Sequence, residues 1–132
     1  MSEVTIDDVF VGDSGGVLLA RSSPLAIPLQ DSDMFVGMLQ AVQDFVRDSF
    51  KTGTGEEMRS LEFGERTVLI ERGTDHFIAV VYRGHARAPL LRRVRALSAE
   101  IDAKFGDVLR HWDGSVDAVE GIAALLPKLA TP

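Results

Sequence analysis

The sequence predicts an α/β (α+β) domain in the order ββαβββαα, built on a five-stranded antiparallel sheet with one helix on one face and two on the other. Three observations predict it. Two short apolar runs flank a Gly-rich pentapeptide near the N-terminus, three strand-length runs separated by turn residues fill the middle, and helical periodicity appears between and after them. With 132 residues, 45% hydrophobic and 26% charged, the chain has the size and composition of one domain, spanning residues 1–132.

Asp8 to Val11 forms the first run, Gly12-Asp-Ser-Gly-Gly16 the turn, and Val17 to Ala20 the second run, together a hairpin. Pro24 and Pro28 stiffen the connection that follows. Over residues 31–50, Phe35, Met38, Leu39, Val42, Phe45, Val46 and Phe50 recur at helical spacing, with Asp31 or Ser32 as N-cap and Asp33 in the first turn. Met58 to Phe63, Thr67 to Arg72 and Phe77 to Arg83 read as a meander, because Gly64-Glu65 and Gly73-Thr-Asp75 are turn chemistry. Leu90, Leu91, Val94, Leu97, Ile101, Phe105 and Leu109 mark a second amphipathic helix, with Pro89 suited to its first turn. Trp112-Asp-Gly114 interrupts it. Ser115 is placed to cap a third helix carrying Val116, Val119, Ile122, Leu125, Leu126 and Leu129 on one face.

Phe77 to Tyr82 is the longest unbroken apolar strand, so it belongs mid-sheet with both faces covered. A meander running outward on one side and the hairpin on the other give the strand order 2-1-5-4-3. Arg21, Arg59 and Glu62 would then guard the two edges.

Composition narrows the function classes. Without a run of about 18 apolar residues or a basic-then-apolar start, the sequence predicts neither a transmembrane helix nor a signal peptide. Zero cysteines remove disulfides, thiol nucleophiles and sulfur-ligated metals, and make the cytoplasm the default location. A net charge of −6 argues against nucleic acid as a partner. That charge is uneven: residues 1–50 hold eight acids and two bases, while residues 83–132 hold six acids and eight bases. The ending Leu-Ala-Thr-Pro132 leaves open whether the chain was cut from a longer protein.

Asp33-Met34, Met38 to Ala41, Gln43 to Phe50, Leu61 to Gly64, Ile70 to Gly73, Ala79 to Val81 and Arg83-Gly84 carry a family likeness. With the element order, they resemble a prokaryotic version of the longin and roadblock/light-chain-7 group of profilin-like domains. These are mostly core and turn positions, which specify fold better than activity. The resemblance implies a non-enzymatic platform that dimerises or binds small Ras-like GTPases and their assemblies. Roadblock proteins usually begin with a helix before the first hairpin, and this chain begins with the hairpin, which favours the longin-like branch.

Several strings mimic chemistry. Gly12-Asp-Ser-Gly-Gly16 spells the surroundings of a chymotrypsin-like nucleophile, but no histidine precedes Ser14 and a two-barrel protease does not fit in 132 residues. Lys51-Thr-Gly-Thr-Gly55 follows a helix, whereas a phosphate loop must precede one. His76, His85 and His111 lack metal-ligand spacing, and Glu62, Glu65 and Glu71 read as solvated strand positions. Trp112-Asp113-Gly114 reads first as a tryptophan-anchored turn. No catalytic, cofactor or metal residue is nominated.

Two surfaces stand out. Apolar side chains of helix one, from Met34 round to Val36, sweep roughly 200°, wider than the ~100° one packing face needs, so part of the arc is available to something besides the sheet. The remaining face carries Gly37, Gln40, Ala41, Asp44, Arg47 and Asp48, where the i,i+4 pair Gly37 and Ala41 would let a partner helix approach. A basic rim of Arg83, Arg87, Arg92, Arg93 and Arg95 is the second candidate, for an acidic protein surface, phosphate or anionic lipid. The resulting expectation is a non-catalytic protein-interaction module, a homodimer that regulates or scaffolds a small GTPase or signalling complex. The alternative is a sensory domain that encloses a small ligand. If the acidic and basic segments drive association, salt weakens it.

Overall fold

The computed structural model describes residues 4–22, 29–49, 60–84 and 87–130. Every residue from His76 to Tyr82 in β5 (His76–Gly84) is buried, which requires cover on both sides of that strand. It lies at the centre of a five-stranded sheet of order β2-β1-β5-β4-β3, where β1 is Val4–Asp13, β2 Leu18–Ser22, β3 Ser60–Phe63 and β4 Arg66–Arg72. All neighbours pair antiparallel. The expected topology and strand order are both present.

Strand alternation sorts the core into two layers. Phe10, Val68, Ile70, Phe77, Ala79 and Val81 point to one face and pack with Val36 and Leu39 of α1 (Leu29–Ser49). Phe10 and Phe35 add a tilted ring pair at 5.0 Å. The other face presents Val9, Val11, Leu69, Ile78 and Val80 to Leu90, Val94, Leu97 and Ile101 of α2 (Arg87–Arg110) and to the C-terminal segment. One helix therefore covers one face, and the last elements cover the other.

Several local expectations need correction. β1 begins at Val4, four residues earlier than Asp8, because a bulge absorbs the irregular acidic pair: Ile6 faces Tyr82 and Asp8 faces Val81, leaving Asp7 as the extra residue. α1 begins at Leu29, so Asp31 and Ser32 fall inside its first turn and do not cap it. The expected third helix is divided into α3 (Val116–Val119), a 3₁₀ segment (Glu120–Leu125) and α4 (Pro127–Ala130). Val119, Ile122 and Leu125 are buried at a spacing of three, the 3₁₀ period, and the Phe105 ring lies where a Cβ on Gly121 would come within 2.9 Å. Ser115 makes no side-chain cap bond; its N–H donates to Asp113 Oδ1 at 2.9 Å and its carbonyl accepts the Trp112 indole N–H at 2.8 Å. That closes the turn at Trp112-Asp113-Gly114.

The Gly12 to Gly16 string is also explained by packing. Asp13 Oδ1 accepts the N–H groups of Gly15 and Val17 at 3.0 and 2.8 Å, organising the hairpin turn. Gly16 has φ +88°, and a Cβ on Gly12 would come within 2.7 Å of Val36 and 2.8 Å of Phe77. Pro24, Pro28, Phe50, Lys51 to Gly55, Met58, Arg59 and His85 lie outside the described residues, as do the side chains of Asp31, Ser32, Asp33, Val46, Arg47, Asp48 and Arg87.

Candidate functional site

The outer face of α1 follows from how the helix sits on the sheet. Val36 and Leu39 are fully buried beneath it, and Gln43 is buried with its Nε2 donating to the Leu39 carbonyl at 3.2 Å. The helix side nearest the hairpin packs on Gly16, where a Cβ would come within 3.0 Å of Gln40 and 3.5 Å of Gly37. Among the described residues, none covers the side turned away from the sheet. Met34 is 73% exposed, Met38 47% and Phe45 66%, with Ala41 also exposed between them. The spacing i, i+4, i+7, i+11 aligns these four into one stripe, the pattern of a helix-packing seam.

The residues anticipated for this helix are consequently divided. Ala41 is in the exposed stripe. Gly37 and Gln40 are not on the outward face; they pack toward the hairpin, and Gln40 is buried, with its Nε2 donating to Asp44 Oδ1 at 2.9 Å. Asp44 is half-buried. The sequence signal for the stripe was the excess width of the apolar arc, because Met34, Met38 and Phe45 belong to that arc and not to its polar remainder.

The arginine stretch is likewise divided, because strand alternation places Arg83 on the α1 face while α2 covers the other. Arg83 and Arg66 converge on the buried Asp7: Arg83 donates from Nε and Nη2 at 3.0 and 2.9 Å, and Arg66 from Nε at 2.9 Å. Burial alone would raise the Asp7 pKa, but the hydrogen bonds from Arg83 and Arg66 and their charges outweigh it and hold the carboxyl below its ordinary value. Arg95 lies 3.5 Å from Glu71, and Arg92 and Arg93 are exposed on α2. Arg83, tied to Asp7, therefore stands apart from Arg92, Arg93 and Arg95 on α2.

A second buried polar cluster joins the β4–β5 turn to α2. His76 Nε2 shares a 3.1 Å hydrogen bond with Ser98 Oγ, and His76 Nδ1 lies 3.3 Å from Asp102 Oδ1. Asp102 also accepts from the Thr74 backbone N–H at 3.2 Å. Burial pushes the His76 pKa down, with Asp102 and then Asp75 opposing it. The order Ser, His, Asp matches an acyl-transfer relay, but such a serine must be open to substrate. Ser98 is buried mid-helix, and the cluster fastens the hairpin to α2.

Among the described residues, two depressions could be considered for a small ligand. One, of about 660 Å³, is lined by charged Glu62, Glu65, Arg66 and Arg83 together with Gly64, Thr67, Tyr82 and Gly84. The other, of about 180 Å³, lies between α2 and Leu129. The larger lacks the mainly apolar lining that small-molecule sites use. Among the described residues, no group of three His, Cys, Asp or Glu side chains could hold a metal ion, and no helix is long and apolar enough to cross a membrane.

The order 2-1-5-4-3 with α1 against one face and α2 against the other defines the class as the α+β architecture implied by the family likeness. Comparison with solved structures specifies it further. A roadblock/LC7 domain from Streptomyces avermitilis matches with a TM-score of 0.63 at 14% identity, covering 76% of this chain and 87% of that one. The gliding protein MglB from Thermus thermophilus matches with a TM-score of 0.51 at 15% identity, covering 93% and 79% respectively. An MglB with a tetrameric arrangement gives 0.50 at 13% identity, covering 94% and 79%. No protein-family model matches the chain, and no curated protein does. The fold is roadblock/LC7-like.

Proposed function

We propose that this chain is a non-catalytic interaction module that forms a homodimer through the outer face of α1, and that the assembled surface regulates or scaffolds a small Ras-like GTPase or signalling complex. The carrying observation is the exposed stripe Met34, Met38, Ala41 and Phe45 on a helix whose opposite side is already buried. Large apolar side chains aligned in one stripe mark an interaction surface, whereas scattered ones do not.

A second copy is the occupant that the stripe fits. It is symmetric about its midpoint, between Leu39 and Gln40: Met34 lies as far before that point as Phe45 lies after it, and Met38 is matched by Ala41. Two such helices packed antiparallel about a two-fold axis pair Met34 with Phe45 and Met38 with Ala41, and do so twice. The outer pair is a thioether against an aromatic ring, and the inner pair is a long side chain against a small one. The tetrameric arrangement of an MglB with this fold agrees with self-association as a use of the architecture. The GTPase class comes from the roadblock resemblance.

Sedimentation from low to high micromolar concentration tests the dimer. A concentration-dependent shift to twice the monomer mass supports it, and a strict monomer throughout overturns it. Pull-down against Ras-like GTPases loaded with either nucleotide tests the partner, and failure with both nucleotide states removes that role.

A further inference from the structure

With no cysteine in the chain, its oxidisable sulfur is confined to four methionines, and two of these stand one helical turn apart on the exposed stripe. We infer that Met34 and Met38 form an oxidation-sensitive switch on the self-association surface, so that peroxide-class oxidants dissolve the assembly and sulfoxide reduction restores it. This rests on the reading of α1 as the dimer face.

At 73% and 47% exposure, both methionines reach solvent in the separate chain, and a second copy would cover them. In the oxidation step, a sulfur lone pair attacks one peroxide oxygen and the O–O bond breaks. The sulfur gains that oxygen as a sulfoxide, and the proton on it passes to the other oxygen, which leaves as water. The thioether is oxidised by two electrons and the peroxide reduced by two.

The product is polar and accepts hydrogen bonds. In the antiparallel pairing, the Met34 sulfur faces the Phe45 ring of the second copy and the Met38 sulfur faces the methyl of Ala41, neither of which donates a hydrogen bond. A buried acceptor without a donor is costly to form, and symmetry places four of them in one interface. Assembly and oxidation therefore oppose each other: the paired form shields the sulfurs, and the oxidised form pairs more weakly.

The test treats the full chain with hydrogen peroxide, maps sulfoxide by peptide mass, and measures the dimer Kd by sedimentation before treatment, after it, and after incubation with methionine sulfoxide reductases and a dithiol, which is oxidised to its disulfide as the sulfoxide oxygen leaves as water. The switch predicts sulfoxide at Met34 and Met38, a Kd weakened about tenfold or more, and recovery on reduction. A Met34→Leu, Met38→Leu variant, compared with itself before and after peroxide, should keep that Kd ratio near one whatever its starting affinity. A ratio that rises in the variant as it does in the unsubstituted chain, or an oxidised chain that associates as before, overturns the switch while leaving the dimer standing. An untreated chain that stays monomeric at all concentrations overturns both.

Discussion

Arg83 holds Asp7 across 76 residues of sequence through two parallel hydrogen bonds, Nε to Oδ2 at 3.0 Å and Nη2 to Oδ1 at 2.9 Å. Arg66 adds a third bond to Oδ2. The carboxylate is buried while both guanidinium groups remain nearly half exposed. Loss of a partner is therefore asymmetric. With Asp7→Asn, the two cations recover water, and the expected cost is about 1–2 kcal/mol. With Arg66→Ala and Arg83→Ala together, a buried carboxylate loses all three donors, and the double variant should be the less stable. Urea unfolding of the two proteins ranks them. Because the Asp7 pKa is lowered in the fold, this contribution is full above the ordinary carboxyl pKa of 3.8 and disappears as pH falls through the folded value.

His76 sets a milder acid limit. Its folded pKa lies below the ordinary 6.5, so the unfolded chain takes up the proton first. Stability is full above pH 6.5 and is lost as pH falls from there through the folded pKa, with a slope of at most about 1.4 kcal/mol per pH unit for one proton. Asp102→Asn removes a charge that favours the imidazolium and should lower the His76 pKa further. Titration of the ring by NMR checks the direction, and an upward shift would contradict it.

Two turn glycines should respond differently to alanine. A Cβ on Gly73 would overlap the imidazole ring of His76, which is held by Ser98 and cannot retreat cheaply. A Cβ on Gly64 meets nothing within 4 Å, and only its φ of +59° opposes a side chain. Gly73→Ala is expected to cost roughly 2 kcal/mol or more and Gly64→Ala roughly 1 kcal/mol. Thermal or urea unfolding of both variants tests the ranking.

These clusters explain where the sequence was legible and where it was not. The strand order could be read because the Gly64-Glu65 and Gly73-Thr-Asp75 turns are local and the Phe77 to Tyr82 run has only one suitable place. Asp7 could not, since an acid near a chain start reads as a strand boundary until Arg66 and Arg83 are brought to it across the sheet. The divided last helix was hidden because Val119, Ile122 and Leu125 satisfy an α-helical face nearly as well as a 3₁₀ one. On α1, the excess apolar arc was visible, but the roll of the helix decides which part the sheet covers. Packing on Gly16 turned Gln40 inward and left Met34, Met38 and Phe45 outside.

That roll also changes the expected response to salt. Attraction between an acidic first helix and the arginine stretch would weaken as ionic strength rises, yet Arg83 is bound to Asp7, Arg95 lies beside Glu71, and the exposed stripe carries no charge. Apolar association should instead be unchanged or strengthened by sulfate. Phe45→Glu places a charge in the seam of both copies at once and should weaken the dimer by about 3 kcal/mol or more, roughly a hundredfold in Kd. Because Phe45 is 66% exposed in the single chain, the same substitution should shift monomer stability by no more than about 0.5 kcal/mol. Val108→Glu, at an exposed apolar position on α2 away from the stripe, is the control and should leave association intact. Sedimentation of the three proteins at low and high salt gives the result, and a Phe45→Glu protein that dimerises like the unsubstituted chain would move the interface off α1.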